Sequence, residues 1–220
     1  MTNVKGSAFG FLTDVGLFGG PASVRGFGQT IPPGDKKSAS PSVTLPAGGS
    51  TAGVTKVDSD GAMAQYGPAV IFGGKPPASP DAPLPPSGEI RVSTKGKLSV
   101  TSTASVKKVG PGPFTADSVR STCHASKSGV TASTTITRGV LATATDADGN
   151  TTASEVIPSH PPANYTLTGT TGTGDNFKAV FNEQTVNEDG SITVDAVHLY
   201  LLGPTAVGEV VVAQSHAGVS

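Results

Sequence analysis

Asp146-Ala147-Asp148-Gly149-Asn150, with Glu155 a short way downstream, alternates carboxylate and amide oxygens along a tight stretch. A hard cation such as Ca²⁺ takes oxygen ligands from loops of this kind. Asp146, Asp148, Asn150 and Glu155 are therefore a candidate calcium set, although Glu155 falls too early for an EF-hand. The simpler reading is a hairpin turn, because Asp, Gly and Asn all favour turn conformations. Glu183, Glu188 and Asp189 lie close in sequence, and paired acids are the raw material of glycoside hydrolysis. Glu188 and Asp189 fall at an Asp-Gly hairpin tip, which positions an acid poorly. The sequence reads them as solvated turn charges. His198 alternates with apolar neighbours and is expected to face inward or into an interface, as a hydrogen-bonded core histidine. His124, His160 and His216 show no metal-ligand spacing, and Cys123 has no His or Asp constellation beside it. No catalytic residues are assigned, and no cofactor beyond the candidate calcium.

The elements that would carry these residues read as strands. Asn176 to Ala213 is the densest apolar stretch. Phe177, Ala179 and Phe181 alternate on one side of a first strand, and Ile192, Val194, Ala196, His198, Tyr200 and Leu202 along a second. Val207 to Val212 is nearly all β-branched. Asp189-Gly190 is a hairpin signal, and Gly203-Pro204 separates the last two strands. Upstream, Leu98, Val100, Ala104 and Val106 alternate with polar residues, and Val119, Ser121 and Cys123 share a side of a strand from Phe114 to Ala125. Val130 to Thr145 is one long strand or two, with Arg138-Gly139 as a candidate bulge. Residues 4–18 carry glycines inside an apolar segment, the mark of a bulge or a close backbone approach. Residues 25–41 read as loop, and the Pro-dense residues 73–88 as a polyproline-like surface loop. No helix is expected.

Composition agrees with this reading. Aromatics are 5% and there is no Trp, so the core must be thin and made of small aliphatics. Charged residues are only 14%, with a net charge of −1 and no basic run, which argues against a nucleic-acid partner. No apolar run reaches the ~18 residues that cross a bilayer as a helix. The single cysteine allows no intrachain disulfide. The N-terminal MTNVKGSAFGFL lacks a basic segment followed by an apolar one, so it does not read as a signal peptide. Low charge with abundant Ser, Thr and Gly suits an extracellular surface.

Several stretches then become familiar: VKGSAFGFLTDVGLFGGP, PSVTLPAGGS, VGPGPFTADSVRSTC, FNEQ, ITVDAVHLYLLGPTAVGEVVV and QSHAGV. Over nearly its whole length the chain resembles the choice-of-anchor P family of actinobacterial surface proteins. The resemblance implies an exported, surface-associated β-domain and no known activity. In the family pattern a second cysteine near the C-terminal QSxxGV pairs with the one equivalent to Cys123. Here that stretch, Gln214 to Val219, has none. The implied loss is a disulfide worth about 2–4 kcal/mol. No anchor is legible after Ser220.

The expectations are these. The fold is all-β, an antiparallel, jelly-roll-like β-sandwich over residues 42–220, preceded by an extended Gly/Pro-rich arm and loop over residues 1–41. The protein is a non-enzymatic structural protein of the extracellular cell surface that associates with copies of itself, as filaments or a coat, through strand contacts. The arm, residues 4–18, adds to a neighbouring sheet edge, and deleting residues 1–20 should abolish assembly while leaving the β-fold. Alternatives are an adhesion module for surface glycans, supported by calcium, and a virion decoration protein.

Overall fold

Small apolar residues alternating with Ser and Thr favour a pleated, half-buried strand. The computed structural model describes residues 4–17, 23–30, 42–44, 50–52, 54–57, 63–68, 87–95, 99–110 and 113–219, with side-chain surroundings defined for 5–10, 92, 99–110 and 113–219. These residues form strands, turns and connecting loops, with no helix among them. In chain order the strands are β1 (Val4–Leu17), β2 (Ser23–Thr30), β3 (Ser42–Thr44), β4 (Ser50–Ala52), β5 (Val54–Val57), β6 (Met63–Pro68), β7 (Ser87–Lys95) and β8 (Ser99–Val109). They continue as β9 (Phe114–Ser126), β10 (Gly129–Thr137), β11 (Val140–Thr145), β12 (Thr151–Val156), β13 (Tyr165–Thr170), β14 (Asn176–Val186), β15 (Ile192–Leu202) and β16 (Ala206–Val219).

Fourteen of them belong to one sheet, in the order β2-β1-β16-β15-β14-β13-β11-β9-β8-β7-β6-β5, with β10 added to β9 and β12 to β11. Pairing is antiparallel except for one parallel bridge, Ala144 to Thr170. The sheet curls into a nearly closed barrel. Its curl brings β1, β16 and β15 opposite β7, β8, β9 and β10. The all-β class is as expected, but the two stacked sheets of a sandwich are not what the described strands form. Residues 25–30, expected as loop, are strand, and residues 31–41 and 73–86 lie outside the described residues. Arg138 and Gly139 split the long apolar run into β10 and β11, Arg138 with φ of 50°.

The N-terminal segment does not stand apart as an arm. β1 pairs with β16 from Val4↔Val219 to Leu17↔Ala206 and carries β2 on its other side. Ala8 is buried in the core. A Cβ at Gly6 would meet side-chain atoms of Val92, Val100 and Ser102 at 2.7 Å, so the glycine lets β1 approach β7 and β8. Removing residues 1–20 would therefore take out a core strand, not a free tether.

The core is filled from both walls. Val100, Ala104, Val106, Val119, Cys123 and Ala125 come from β8 and β9, and Phe177, Ala179, Phe181, Val194, Leu199 and Val212 from β14 to β16. Phe114 and Phe181 meet across the space with ring centroids 5.4 Å apart. Aromatic pairs at that separation add about 0.5–1.5 kcal/mol beyond their area. The two walls also share a polar contact: Ser121 Oγ and Ser215 Oγ are 2.7 Å apart, and the Cys123 thiol donates to the Ser215 carbonyl at 3.2 Å. The sulfur thus lies against the QSHAGV stretch through a hydrogen bond.

Candidate functional site on the outer face of the sheet

Three neighbouring strands break their alternation at the same level. β14 and β15 pair in constant register, with Phe181↔Val197 and Glu183↔Asp195, but Asn182 and Ala196 do not pair. β15 and β16 likewise pair at Val197↔Val212 and Asp195↔Gln214, skipping Ala196 and Ala213. β1 continues the line, with Gly10 skipped opposite Ala213 and a shift in its pairing to β2 between Phe9 and Phe11. Asn182 has φ of 54° and Ala213 of 57°. Asn and Gly accept such backbone readily, whereas Ala does so at a cost of about 1–2 kcal/mol. Asn182 is held by its amide, which donates to Pro161 O at 2.9 Å and accepts from Gln184 Nε2 at 3.0 Å.

Each skipped residue shifts the faces of its strand by one. Val194 and Val197 both point into the core, and so do Val212 and Ser215. On the other face two positions three apart come together, Asp195 and His198. This corrects the expectation for His198. It does not continue the inward series of Val194 and Ala196, because the crease at Ala196 turns it outward. His198 is nevertheless only 7% exposed.

There it is surrounded by acids. His198 Nδ1 lies 2.5 Å from Glu183 Oε2 and 3.7 Å from Asp195 Oδ2, and Nε2 lies 3.0 Å from Glu209 Oε2. Tyr200 stacks on the imidazole, centroids 3.9 Å apart, and donates its hydroxyl to Glu183 Oε1 at 2.9 Å. Gln214 Nε2 donates to Asp195 Oδ1 at 2.7 Å. Lys178 Nζ sits 3.9 Å from the centre of the Tyr200 ring, a cation–π contact. Burial pushes the Asp195 carboxyl up to about 6, and Glu183 and Glu209 add to the rise against the pull of Gln214 and His198. Burial and the acceptor Glu183 also raise the Tyr200 hydroxyl. One imidazole thus lies within 4 Å of three half-buried carboxylates. Glu183, Asp195 and His198 each offer one ligand atom, all within 4.8 Å of one another, and are the group among the described residues that could hold a metal ion.

The residues singled out from sequence fall elsewhere, Glu183 and His198 excepted. Asp146 caps the β11–β12 turn, accepting from the backbone of Asp148 at 3.0 Å and Asn150 at 2.8 Å and from the Asn150 amide at 3.1 Å. These bonds hold its carboxyl below the usual range. Asp146 and Asn150 are brought together. Glu155 is not: it lies along β12 opposite Leu141, four residues beyond the Thr145↔Thr151 pair, or about 13 Å of strand. Glu188 is exposed at the β14–β15 turn. Asp189 there accepts from Ser191 and pairs with Lys5 at 3.3 Å. His124 and His216 bond to Thr101 and Thr193 across their strands, and His160 is exposed beside Ser159. Cys123 is fully buried, and burial pushes its thiol up to about 12, which disarms it as a nucleophile. Asp195, Tyr200, Glu209 and Gln214 were not anticipated. The Asp189-Gly190 turn sets Glu183 opposite Asp195, but strict alternation puts Asp195 and His198 on opposite faces.

No protein-family model, no curated protein and no solved structure matches this chain.

Proposed function

We propose that the chain is a non-enzymatic structural protein of an extracellular cell or particle surface, and that it associates with copies of itself through an open sheet edge. The observation that carries the reading is β12. It pairs on one side with β11, its other edge has no strand partner among the described residues, and all six of its residues are exposed. An open edge of this kind is a template for strand addition. Its one charge is Glu155, and Val156 at its end is 76% exposed. Leu202 and Val207, paired beside the β15–β16 turn, add a second exposed apolar spot.

The low charge, the Ser/Thr-rich surface and the resemblance to choice-of-anchor P domains support the extracellular setting. The disarmed thiol of Cys123 and the capped Asp146 turn favour a scaffold over a hydrolase. Light scattering over a concentration series, with negative-stain electron microscopy, tests the proposal. The wild-type chain should gain mass with concentration and form regular particles, and S154K/V156K should stay monomeric with an unchanged β-type circular dichroism spectrum. A wild-type chain that remains monomeric at all concentrations, or a double variant that assembles equally well, overturns it.

A further inference from the structure

We propose that Glu183, Asp195 and His198 bind a divalent transition-metal cation of the zinc class on the outer face of β14 and β15. This goes beyond the structural role and does not depend on it.

The first support is convergence of mixed donors. Glu183 Oε2, Asp195 Oδ2 and His198 Nδ1 lie within 4.8 Å of one another. A tetrahedral zinc site has bonds of about 2.0–2.2 Å, which places its donors about 3.3–3.6 Å apart. His198 Nδ1 and Asp195 Oδ2, at 3.7 Å, already stand at nearly that spacing. Glu183 Oε2, at 2.5 Å from Nδ1, needs to open by about an ångström, and the cation takes the place of the proton now shared there. One imidazole nitrogen with two carboxylates suits zinc and its neighbours better than calcium, which prefers oxygen alone.

The second support is charge. Glu183 and Asp195 have side chains only 23% and 14% exposed, and Glu209 stands beside them. Among the residues whose side chains are described no Lys or Arg pairs with any of the three; the nearby Lys178 lies over the Tyr200 ring. One imidazole faces three carboxylates, and half-buried acids left uncompensated are costly. A divalent cation supplies the missing charge.

The third support is that the far atom of every donor is already fixed. Tyr200 holds Glu183 Oε1, Gln214 holds Asp195 Oδ1, and Glu209 Oε2 stands 3.0 Å from His198 Nε2. A carboxylate on the distal nitrogen of a metal-binding histidine sets its tautomer and ring orientation. Three protein donors leave a fourth coordination position for water or a donor from another molecule.

The test uses the full chain, first stripped with EDTA and then titrated with Zn²⁺ by calorimetry and with Co²⁺ by visible absorption. One equivalent should bind, Co²⁺ should give ligand-field bands, and Tm should rise by roughly 5–10 °C at a hundredfold excess over Kd. E183Q and H198Q should each weaken binding by about a hundredfold or more, and Q214A, which touches no metal, by about ten- to a hundredfold. H160A, at an exposed histidine outside the group, should bind as the wild type does. Should H198Q fail to fold, E183Q and Q214A decide. No saturable binding at one equivalent, undiminished binding by folded E183Q, or binding abolished by H160A overturns the assignment.

Discussion

Ser121 on β9 and Ser215 on β16 give a direct measure of whether the two walls of the curled sheet face each other as described. Both are 0% exposed, and their hydroxyl oxygens are 2.7 Å apart. Replacing Ser215 with Ala leaves the Ser121 hydroxyl sealed in the interior without its partner, at a cost of about 1–3 kcal/mol. Replacing Ser121 with Ala should cost less, about 1 kcal/mol, because the Ser215 hydroxyl can still turn to the Ser121 carbonyl at 3.4 Å. The double variant removes both polar groups and leaves two methyls, so it should cost no more than the worse single. The cycle therefore predicts a coupling of about 1–2 kcal/mol. Urea unfolding at fixed pH measures it as shifts in the midpoint with an unchanged slope. On heating, each kcal/mol corresponds to roughly 2–4 °C in a chain of this size. If the two single effects add to the double within about 0.5 kcal/mol, the serines do not share a bond and the facing of β9 and β16 is wrong.

Cys123 should react with a disulfide reagent about a thousandfold or more slower in native buffer than in denaturant, since burial both hides the thiol and holds it near 12; rapid labelling of the folded chain refutes the core placement. Asp175 joins the β13–β14 turn to the β15–β16 turn, accepting from the Thr205 backbone and hydroxyl, from Ala206 N at 3.1 Å and from Thr173 at 2.7 Å. Those bonds, the Thr205 hydroxyl first, pull its carboxyl down from the usual 3.8 to about 2. A depressed carboxyl stabilises the fold fully above about pH 4 and loses that contribution as pH falls toward 2. Circular dichroism melts should show the wild-type Tm falling over that window, with D175N lower at pH 7 and converging with the wild type near pH 2; parallel profiles for the two refute the role.

The strands were legible because they depend on local alternation. Val119, Ser121 and Cys123 share the buried side of β9 as their spacing requires. The glycines of β1 mark real events as well: a close approach at Gly6 and the crease at Gly10. The Asp189-Gly190 turn was legible too, and it closes with Gly190 at φ of 77° and Asn187 bonded to Ser191. What was not legible is how strands far apart in sequence add up. β1 reads as a loose arm because nothing in residues 4–17 names β16, some two hundred residues away, as its partner.

The candidate site failed to appear in the sequence for a sharper reason. Period-two alternation assigns residues an odd number apart to opposite faces. Asp195 and His198 are three apart, so any reading that respects the pattern separates them. They meet because Asn182, Ala196 and Ala213 are all extra residues at one level, and a shift shared by three strands leaves the register between them untouched. A bulge in one strand would have displaced its partners and broken the row Glu183–Asp195–Gln214. A crease through all of them keeps that row intact and slides the next row, which contains His198, beneath it. At Ala213 the trace is an alanine at φ of 57°, which no residue pattern announces. Backbone held against its preference persists only where its surroundings insist on it, and strain of this kind gathers at functional sites. That the crease gathers His198, its flanking carboxylates and the groups that orient them is the reason to look for function there rather than in the more conspicuous acidic turn at Asp146.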